Sequence, residues 1–157
     1  MYKDVITKAY KEGYAIPQFN FDDLEMARFI LEECENLKSP VFLAVSEGAI
    51  DYMGGLSVVT YLVKGLMKDL KITVPVMLHL DHGKNIEICE EAIDYGFDSV
   101  MLDLSKKDLS MNIKKVKELV EYNENVIVEC EIGAIGKNGN EDISYAKVED
   151  CVKIMKE

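Results

Sequence analysis

The sequence is short of basic residues: 18 Lys and Arg stand against 29 Asp and Glu, which gives a net charge of −11 at neutral pH. This shortage argues against a nucleic-acid partner, because contacts to phosphate need clustered Lys and Arg side chains. No apolar run approaches the ~20 residues that a membrane-spanning helix requires, and the N-terminus lacks the apolar core of a signal peptide. We expect a cytoplasmic protein with no nucleic acid and no membrane among its partners.

Paired cysteines and linkers are also missing. The four cysteines, Cys34, Cys89, Cys130 and Cys151, show neither CxxC spacing nor the pattern of a small secreted disulfide framework, so we expect reduced and mostly buried thiols. No linker, internal repeat or low-complexity tract interrupts a composition of 48% hydrophobic and 30% charged residues. A single globular domain over residues 1–157 is therefore predicted.

What the sequence does contain is a regular alternation of apolar runs and amphipathic segments. Strands are predicted at residues 14–20, 41–45, 74–81, 98–104 and 126–132. Helices are predicted near residues 3–12, 24–34, 56–70, 85–95, 109–122 and 147–155. Apolar strands separated by helices are typical of a parallel sheet that is buried on both faces.

Two α/β architectures contain such a sheet, and the residues that follow the strands distinguish them. A doubly wound sheet often carries a GxGxxG phosphate loop, and none follows a strand here, whereas a (β/α)8 TIM barrel collects functional side chains at the carboxyl ends of its strands. Polar residues follow every predicted strand: Asn20, Ser46, Asp81 with His82, Asp103 with Ser105, and Glu131. A TIM-barrel fold is predicted, as a partial domain, because a closed barrel needs eight units and about 250 residues while this chain has five strands.

Residues 74–83 contain more candidate catalytic and metal-binding side chains than any other stretch of this length. Their sequence is Val-Pro-Val-Met-Leu-His-Leu-Asp-His-Gly. Along an extended strand His79 and Asp81 share one face, and His82 falls where the strand gives way to the turn at Gly83, so its direction is freer. His79 lies inside the apolar run, which favours a hydrogen-bonded structural histidine over a metal ligand.

Three segments occur in an order that points to one family. They are residues 75–83, residues 96–105 (Gly-Phe-Asp-Ser-Val-Met-Leu-Asp-Leu-Ser) and residues 128–133 (Val-Glu-Cys-Glu-Ile-Gly) with Glu141 and Asp142. Residues 15–20 and 46–49 support them. From its first strand to its last residue, the chain resembles the N-terminal part of a class II, metal-dependent fructose-bisphosphate aldolase.

The resemblance implies roles for the acids and the histidine at the strand ends. In the family, the aspartate that matches Asp81 is the catalytic proton donor, and the histidine that matches His82 binds the catalytic zinc. The residues that match Asp103 and Glu131 bind a second divalent cation, although both could be ordinary acids that cap nearby helices. Glu141, on a flexible loop, would handle the proton at the enediolate carbon as a second catalytic residue.

Asn20 and Ser46 are the substrate-binding residues in this interpretation, although both are also common turn residues. The implied reaction is the reversible cleavage of fructose 1,6-bisphosphate to glycerone phosphate and glyceraldehyde 3-phosphate in glycolysis. A homodimer is expected for the full-length enzyme. Tagatose bisphosphate is the alternative substrate, and a non-catalytic fragment that needs a partner is the alternative from a different class.

Two features depart from the family pattern. The family takes two further zinc-binding histidines from strands beyond residue 157, and this sequence has only His79 and His82, so the isolated chain is expected to be inactive. Residues 137–140 lengthen the loop before Glu141, which leaves the position of that acid open.

A Schiff-base mechanism is the competing one for an aldolase, and it requires a lysine that is desolvated in an apolar pocket. Lys106 and Lys107 are the lysines that closely follow a strand end with site-like acids. A tandem lysine pair indicates a solvated surface, so the metal mechanism is favoured.

Overall fold

The computed structural model describes residues 2–133 and 145–156 of the chain. Within them one parallel sheet has the order β1-β2-β3-β4-β5, with β1 Gln18–Asn20, β2 Val41–Ser46, β3 Val76–Gly83, β4 Ser99–Leu102 and β5 Ile127–Cys130. The helices of the same residues are α1 Tyr2–Glu12, α2 Leu24–Leu37, α3 Glu47–Met53, α4 Leu56–Asp69, α5 Ile86–Asp94, α6 Leu109–Tyr122 and α7 Val148–Ile154. No helix in these two ranges has the length and apolar character needed to cross a bilayer.

The order of the strands explains why the helices cover one face of the sheet. Each strand pairs in parallel with the next one along the chain, without the reversal that a doubly wound sheet contains. Because parallel crossovers are right-handed, helices that join strands added in one direction stack on one side. The strand residues in the core with these helices are Val41, Leu43, Val45, Val76, Leu78, Leu80, Val100 and Leu102. This arrangement is five strands of the wall of a TIM barrel, which confirms the predicted fold class.

The other face of the sheet is the inner face of the barrel wall. Its strand register aligns His79 with Ser99, and Ser99 with Ile127. Asp81 follows His79 by two residues on β3, and Glu129 follows Ile127 by two residues on β5. Both side chains therefore lie on this face, closer to the carboxyl ends of the strands. The candidate site residues therefore meet at the carboxyl edge of the sheet.

Side-chain caps fix the start of two helices that join the strands. Asp23 Oδ1 accepts a hydrogen bond of 2.8 Å from the Met26 N–H at the start of α2. Asn85 Oδ1 accepts one of 3.0 Å from the Ile88 N–H at the start of α5. Each cap supplies an acceptor for a backbone donor that the helix itself cannot satisfy.

One helix is absent from the sequence prediction, and three strands are shorter than predicted. The seven residues of α3 are too few to show helical periodicity, and Gly54, at φ +106°, ends the helix in a conformation that favours glycine. The strand β4 is shorter than the predicted run at residues 98–104. The edge strands β1 and β5 are shorter than the predicted runs at residues 14–20 and 126–132. Among the described residues each of them pairs on one side only, so fewer ladder hydrogen bonds extend it.

Glu35 joins the end of α2 to the segment that enters β3. Its Oε2 accepts hydrogen bonds of 2.6 Å from the Thr73 N–H and 3.2 Å from the Val74 N–H, and its Oε1 accepts one of 2.8 Å from the Thr73 hydroxyl. The hydrogen bond from Lys38, followed by those from Thr73 and Val74, lowers the pKa of Glu35 to about 2. The ionised carboxylate of Glu35 is therefore the form that links α2 to the segment before β3.

We predict that Glu35 contributes a pH-dependent part of the stability. Its pKa is below the ordinary 4.5, so its contribution is fully present above that value and is lost as the pH falls toward about 2. Glu35→Gln should lower the free energy of unfolding in urea at about pH 6 and should differ less from the wild type near pH 3. Glu33→Gln, an exposed change on the same helix, is the control. An equal effect of both variants at both pH values would contradict this role.

The open edges of the sheet lead to a second prediction, for the 157-residue chain on its own. In the described residues β1 and β5 each present an unpaired row of backbone groups, and such edges pair with other chains. We expect self-association that increases with salt, because salt screens the repulsion that arises from a net charge of −11. Sedimentation velocity over a salt series measures this. Ile127→Lys on β5 should reduce the association, and a monodisperse, cooperatively melting monomer at physiological salt would refute the prediction.

Candidate active site and metal centre

The carboxyl end of β3 is irregular, and this irregularity directs His82 toward the neighbouring strands. The pairing with β4 shifts register between Leu80 and Gly83. His82 itself has a left-handed backbone, with φ +54°. A local shift of this kind re-aims side chains, so Asp81 and His82 can both reach the site although they are adjacent in the chain. The freer direction predicted for His82 has this physical basis.

Gly83 makes the irregular end of β3 possible. A Cβ at this position would lie 2.7 Å from Cys89 Sγ, 3.0 Å from the Met101 carbonyl oxygen and 3.1 Å from Leu80 Cδ2. Only glycine fits this close contact between β3, β4 and α5. The Gly83 carbonyl also accepts a hydrogen bond of 2.9 Å from the Asp103 N–H, which brings Asp103 beside the end of β3.

Three strand ends bring one imidazole and two carboxylates together. His82 Nδ1 lies 2.9 Å from Asp103 Oδ2 and 3.5 Å from Glu131 Oε2. One possible ligand atom from each of the three residues lies within 4.8 Å of the others. The resemblance assigns His82 to one cation and the two acids to another, whereas in the structure all three surround one space.

Hydrogen bonds hold the acidic strand ends in place. Asp103 Oδ1 accepts from the Ser105 hydroxyl at 2.6 Å and from the Ser105 N–H at 3.1 Å. The buried side chain of Asn112 in α6 donates to the Glu131 backbone carbonyl at 2.9 Å. Burial alone would raise the pKa of Asp103, but the hydrogen bonds from Ser105 and His82 outweigh it and lower that pKa. These bonds of Asp103 go to a turn and to the cluster, so they do not cap a helix.

His82 is the imidazole of the cluster, and the acids around it affect its pKa. Partial burial lowers the pKa of His82, but the hydrogen bond to Asp103 and the charges of Asp81, Asp103 and Glu131 together raise it above its ordinary 6.5. A metal-binding histidine must be neutral, so a proton competes with a cation for this ring.

Asn20, at the end of β1, orients Asp81 on β3 through a hydrogen bond. Its Nδ2 donates a hydrogen bond of 2.7 Å to Asp81 Oδ2. Asp81 Oδ1 lies 4.0 Å from His82 Nε2. One oxygen of Asp81 is therefore fixed by an amide, while the other lies beside the cluster, an arrangement that suits a group that moves a proton at a bound ligand. The role of Asn20 in binding substrate stays a prediction, and its contact with Asp81 is an addition to it.

Ser46 lies at the same edge, next to Asp81 in the register of β2 and β3. Its hydroxyl accepts a hydrogen bond of 3.2 Å from the Ala49 N–H and so caps α3. An open pocket of about 410 Å³ lies beside it, lined by Asp22, Asp23, Ser46, Gly48, Ala49 and Tyr52.

Glu141 lies outside the described residues, so its catalytic role stays a prediction.

Two further residues of the inner face bear on the site. Glu129 was missed by the sequence analysis, although its spacing of two from Glu131 on one strand places both on one face. Burial, followed by the charge of Asp81, raises the pKa of Glu129. His79 is fully buried, its Nδ1 lies 2.8 Å from Ser99 Oγ, and burial lowers its pKa to about 4. The prediction of a hydrogen-bonded structural histidine is confirmed.

A comparison of the sequence with known families identifies the family of the chain. The model described as "Fructose-bisphosphate aldolase class-II" matches residues 1–157. The chain belongs to the class II fructose-bisphosphate aldolase family. The resemblance of the motifs is therefore confirmed, and the cluster lies at the carboxyl ends of the strands, the face on which TIM-barrel enzymes have their active sites.

Curated relatives include enzymes with two different names. The chain is 44% identical to a fructose-bisphosphate aldolase of Geobacillus stearothermophilus, over 98% of this chain and 56% of the relative. It is 42% identical to a 6-phospho-5-dehydro-2-deoxy-D-gluconate aldolase of Halalkalibacterium halodurans, over 99% of this chain and 56% of that relative. The chain thus spans about half the length of the curated relatives it matches.

Solved structures of aldolases have the same fold. The YdjI aldolase of Escherichia coli K12 matches with a TM-score of 0.82 at 28% identity, over 96% of this chain and 55% of that one. A protein described as a putative fructose-1,6-biphosphate aldolase from Coccidioides immitis matches with a TM-score of 0.82 at 29% identity, over 98% of this chain and 56% of that one. These matches support the interpretation of the sheet as part of a TIM-barrel wall.

Class II aldolases are generally metal-dependent, and the donor atoms of this chain fit a divalent cation. An imidazole nitrogen with carboxylate oxygens is a donor set that zinc accepts. Two ligands of a tetrahedral zinc, each at about 2.1 Å, lie about 3.4 Å apart. The 3.5 Å between His82 Nδ1 and Glu131 Oε2 is close to that spacing. Ser105 supplies the outer hydrogen bonds that usually orient a ligating carboxylate such as Asp103.

We predict weak, pH-dependent binding of divalent cations by the 157-residue chain. His82→Ala should reduce the affinity for Zn²⁺ or Mn²⁺ by about tenfold or more, whereas Asp81→Ala should leave cation binding intact. The raised pKa of His82 means that affinity should increase as the pH rises through and above 6.5. Calorimetric titration at several pH values measures both effects. If both variants bound the cation like the wild type, the assignment of His82 would be wrong.

Proposed function

We propose that this chain supplies the first five strands of a class II aldolase whose complete barrel cleaves fructose 1,6-bisphosphate reversibly to glycerone phosphate and glyceraldehyde 3-phosphate. The observation that carries the proposal is one juxtaposition at the sheet edge. Asp81, held by Asn20, lies beside the cluster of His82, Asp103 and Glu131. A group for proton transfer and a set of cation ligands are thus available to one bound molecule.

Cleavage of a carbon–carbon bond beside a ketone makes two demands. The hydroxyl group at the cleaved bond must lose its proton, and the ketone oxygen must take the bonding electrons as an enediolate forms. Asp81 suits the first demand, since its Oδ2 is held by Asn20 and its Oδ1 remains to take the hydroxyl proton and to return it in the reverse reaction. A bound divalent cation supplies Lewis-acid stabilisation of the negative oxygen. Glu141 would exchange the proton at the enediolate carbon.

The charge of the site gives a second reason for a cation. Asp81, Asp103 and Glu131 surround the imidazole of His82, so the edge is strongly acidic. A bisphosphate would be repelled by these carboxylates at short range. A cation held by the cluster would offset part of that repulsion, so substrate binding and metal binding are expected to be coupled.

The names of two relatives give a specific reason to consider 6-phospho-5-dehydro-2-deoxy-D-gluconate as a second candidate substrate. Relatives named 6-phospho-5-dehydro-2-deoxy-D-gluconate aldolase match at 42% and 44% identity, as closely as those named fructose-bisphosphate aldolase. Tagatose bisphosphate remains the alternative among ketose bisphosphates. The full-length enzyme is proposed to be a cytoplasmic homodimer, in which the free cysteines stay reduced.

The Schiff-base mechanism receives no support from the lysines that the sequence singles out. Lys106 and Lys107 are both exposed, whereas a nucleophilic lysine must be desolvated to be neutral near pH 7. The metal mechanism is therefore proposed.

The 157-residue chain alone is predicted to have negligible aldolase activity, because two of the expected zinc ligands are not among its residues. A chimera tests the chemistry: residues 1–157 are joined to the C-terminal part of the Geobacillus stearothermophilus relative, which is 44% identical over the shared region. A coupled assay should detect turnover that a chelator abolishes and that borohydride does not trap. Chelator-sensitive turnover by the chain alone at ordinary enzyme rates, or a borohydride-trapped adduct, would contradict the proposal.

Variants of the chimera separate the two proposed roles. Asp81→Ala should lower kcat by about 10²- to 10⁴-fold while the metal content is unchanged, because it removes the proton-transfer group. His82→Ala should lose the metal together with the activity. Asp51→Ala, an exposed acid on α3, is the control. A variant at Asp81 with normal kcat would remove that residue from the mechanism.

A further inference from the structure

A buried histidine and a partly exposed glutamate face each other on the inner face of the sheet, and the mechanism above uses neither. His79 has 0% exposure, and its Nε2 is a buried atom that has no hydrogen-bond partner within the described ranges. Buried polar atoms are rarely left unpaired, because their hydration is lost without compensation. The Oε2 atom of Glu129 lies 3.7 Å from His79 Nε2.

The ring of His79 is fixed, so the direction of Nε2 is fixed as well. Its Nδ1 lies 2.8 Å from Ser99 Oγ, on the strand that pairs with β3. Phe42 on the other side meets the ring edge to face, with 6.1 Å between ring centroids. The imidazole therefore cannot turn away from Glu129 without loss of both contacts.

The position of Glu129 favours one tautomer of His79. If the proton is on Nε2, it points toward a carboxylate, and the Ser99 hydroxyl donates to Nδ1. If the proton is on Nδ1, a lone pair faces the carboxylate at 3.7 Å, which is electrostatically unfavourable. The side chain of Glu129 is 52% exposed, so a small rotation can shorten the contact to a hydrogen bond.

We propose that His79, anchored by Ser99, is a positioning residue that donates from Nε2–H to Glu129 and holds that carboxylate toward the site. Glu129 then accepts a hydrogen bond from a hydroxyl group of the phosphorylated polyol substrate, which makes it a further residue that determines binding. This second part rests on the proposed function.

Glu129 can touch a ligand whereas His79 cannot. The imidazole is fully buried beneath the site, and Glu129 lies on the same face of β5 as Glu131, one step below the cation cluster. Its carboxylate has two oxygens, so one can accept from His79 while the other faces the open side. Glu129 thus connects a rigid buried ring to the space where a substrate would lie.

The tautomer of His79 tests the first part on the chain itself. The sequence has two histidines, so selective ¹⁵N-histidine labelling gives two sets of signals, and His82→Gln assigns them. Spectra are recorded at low salt, where the net charge of −11 opposes association. We expect His79 to carry its proton on Nε2 in the wild type. Glu129→Leu should shift the tautomer toward Nδ1–H by severalfold, whereas Ser99→Ala should keep Nε2–H.

Two outcomes would overturn the pairing. One is a wild-type His79 that is protonated on Nδ1, and the other is a tautomer ratio that Glu129→Leu leaves unchanged, as expected if Nε2 merely bonds a buried water. Both measurements are independent of turnover, so they distinguish a failed pairing from a failed proposal of aldolase activity.

The substrate contact is tested in the chimera described above. Glu129→Leu should raise KM by about tenfold or more with a smaller change in kcat and an unchanged metal content, because it removes a charged hydrogen-bond acceptor. His79→Gln places an amide donor near the position of Nε2 and should retain most of the binding, whereas His79→Leu should reproduce the defect of Glu129→Leu. An unchanged KM in Glu129→Leu, or a chimera that cleaves none of the candidate substrates, would overturn the substrate role.

Discussion

The close contact at Gly83 is the constraint on which the site depends. Because a Cβ there would lie 2.7 Å from Cys89 Sγ and 3.0 Å from the Met101 carbonyl oxygen, β3 can end against β4 and α5 only with glycine at this point. The register shift that precedes Gly83 turns His82 away from the regular pleat. Without it, Asp81 and His82 would point to opposite faces of the sheet, and the carboxylate and the imidazole could not meet at one site.

The electrostatics of the strand ends follow from their clustering. Several acids converge on His82, and their charges raise its pKa, while hydrogen bonds from Ser105 and His82 lower the pKa of Asp103. The lowered pKa of Asp103 favours the ionised carboxylate that a divalent cation needs, whereas the raised pKa of His82 makes a proton compete with the cation for the ring. The same acids would repel phosphate groups at short range.

The fold was largely predictable, because its main determinants are local. Apolar strands that alternate with amphipathic helices specify a parallel sheet, and strand-end polar residues specify the edge that carries the candidate site. The short helix α3 was missed because its seven residues contain too little periodicity and its cap, Ser46, looks like a turn residue. The short edge strands β1 and β5 reflect pairing, which depends on neighbours distant in sequence.

By itself, the sequence determined the candidate site residues: Asp81, His82, Asp103 and Glu131 follow from strand ends and from family motifs. Tertiary structure alone decided how they combine. The tertiary structure brings His82, Asp103 and Glu131 into one cluster. It also places the Asn20 amide within hydrogen-bond distance of Asp81, and it places the Nε2 atom of His79 opposite Glu129. The physical reason is that these relations depend on strand register and on a bulge, where a shift of one residue moves every side chain to the opposite face.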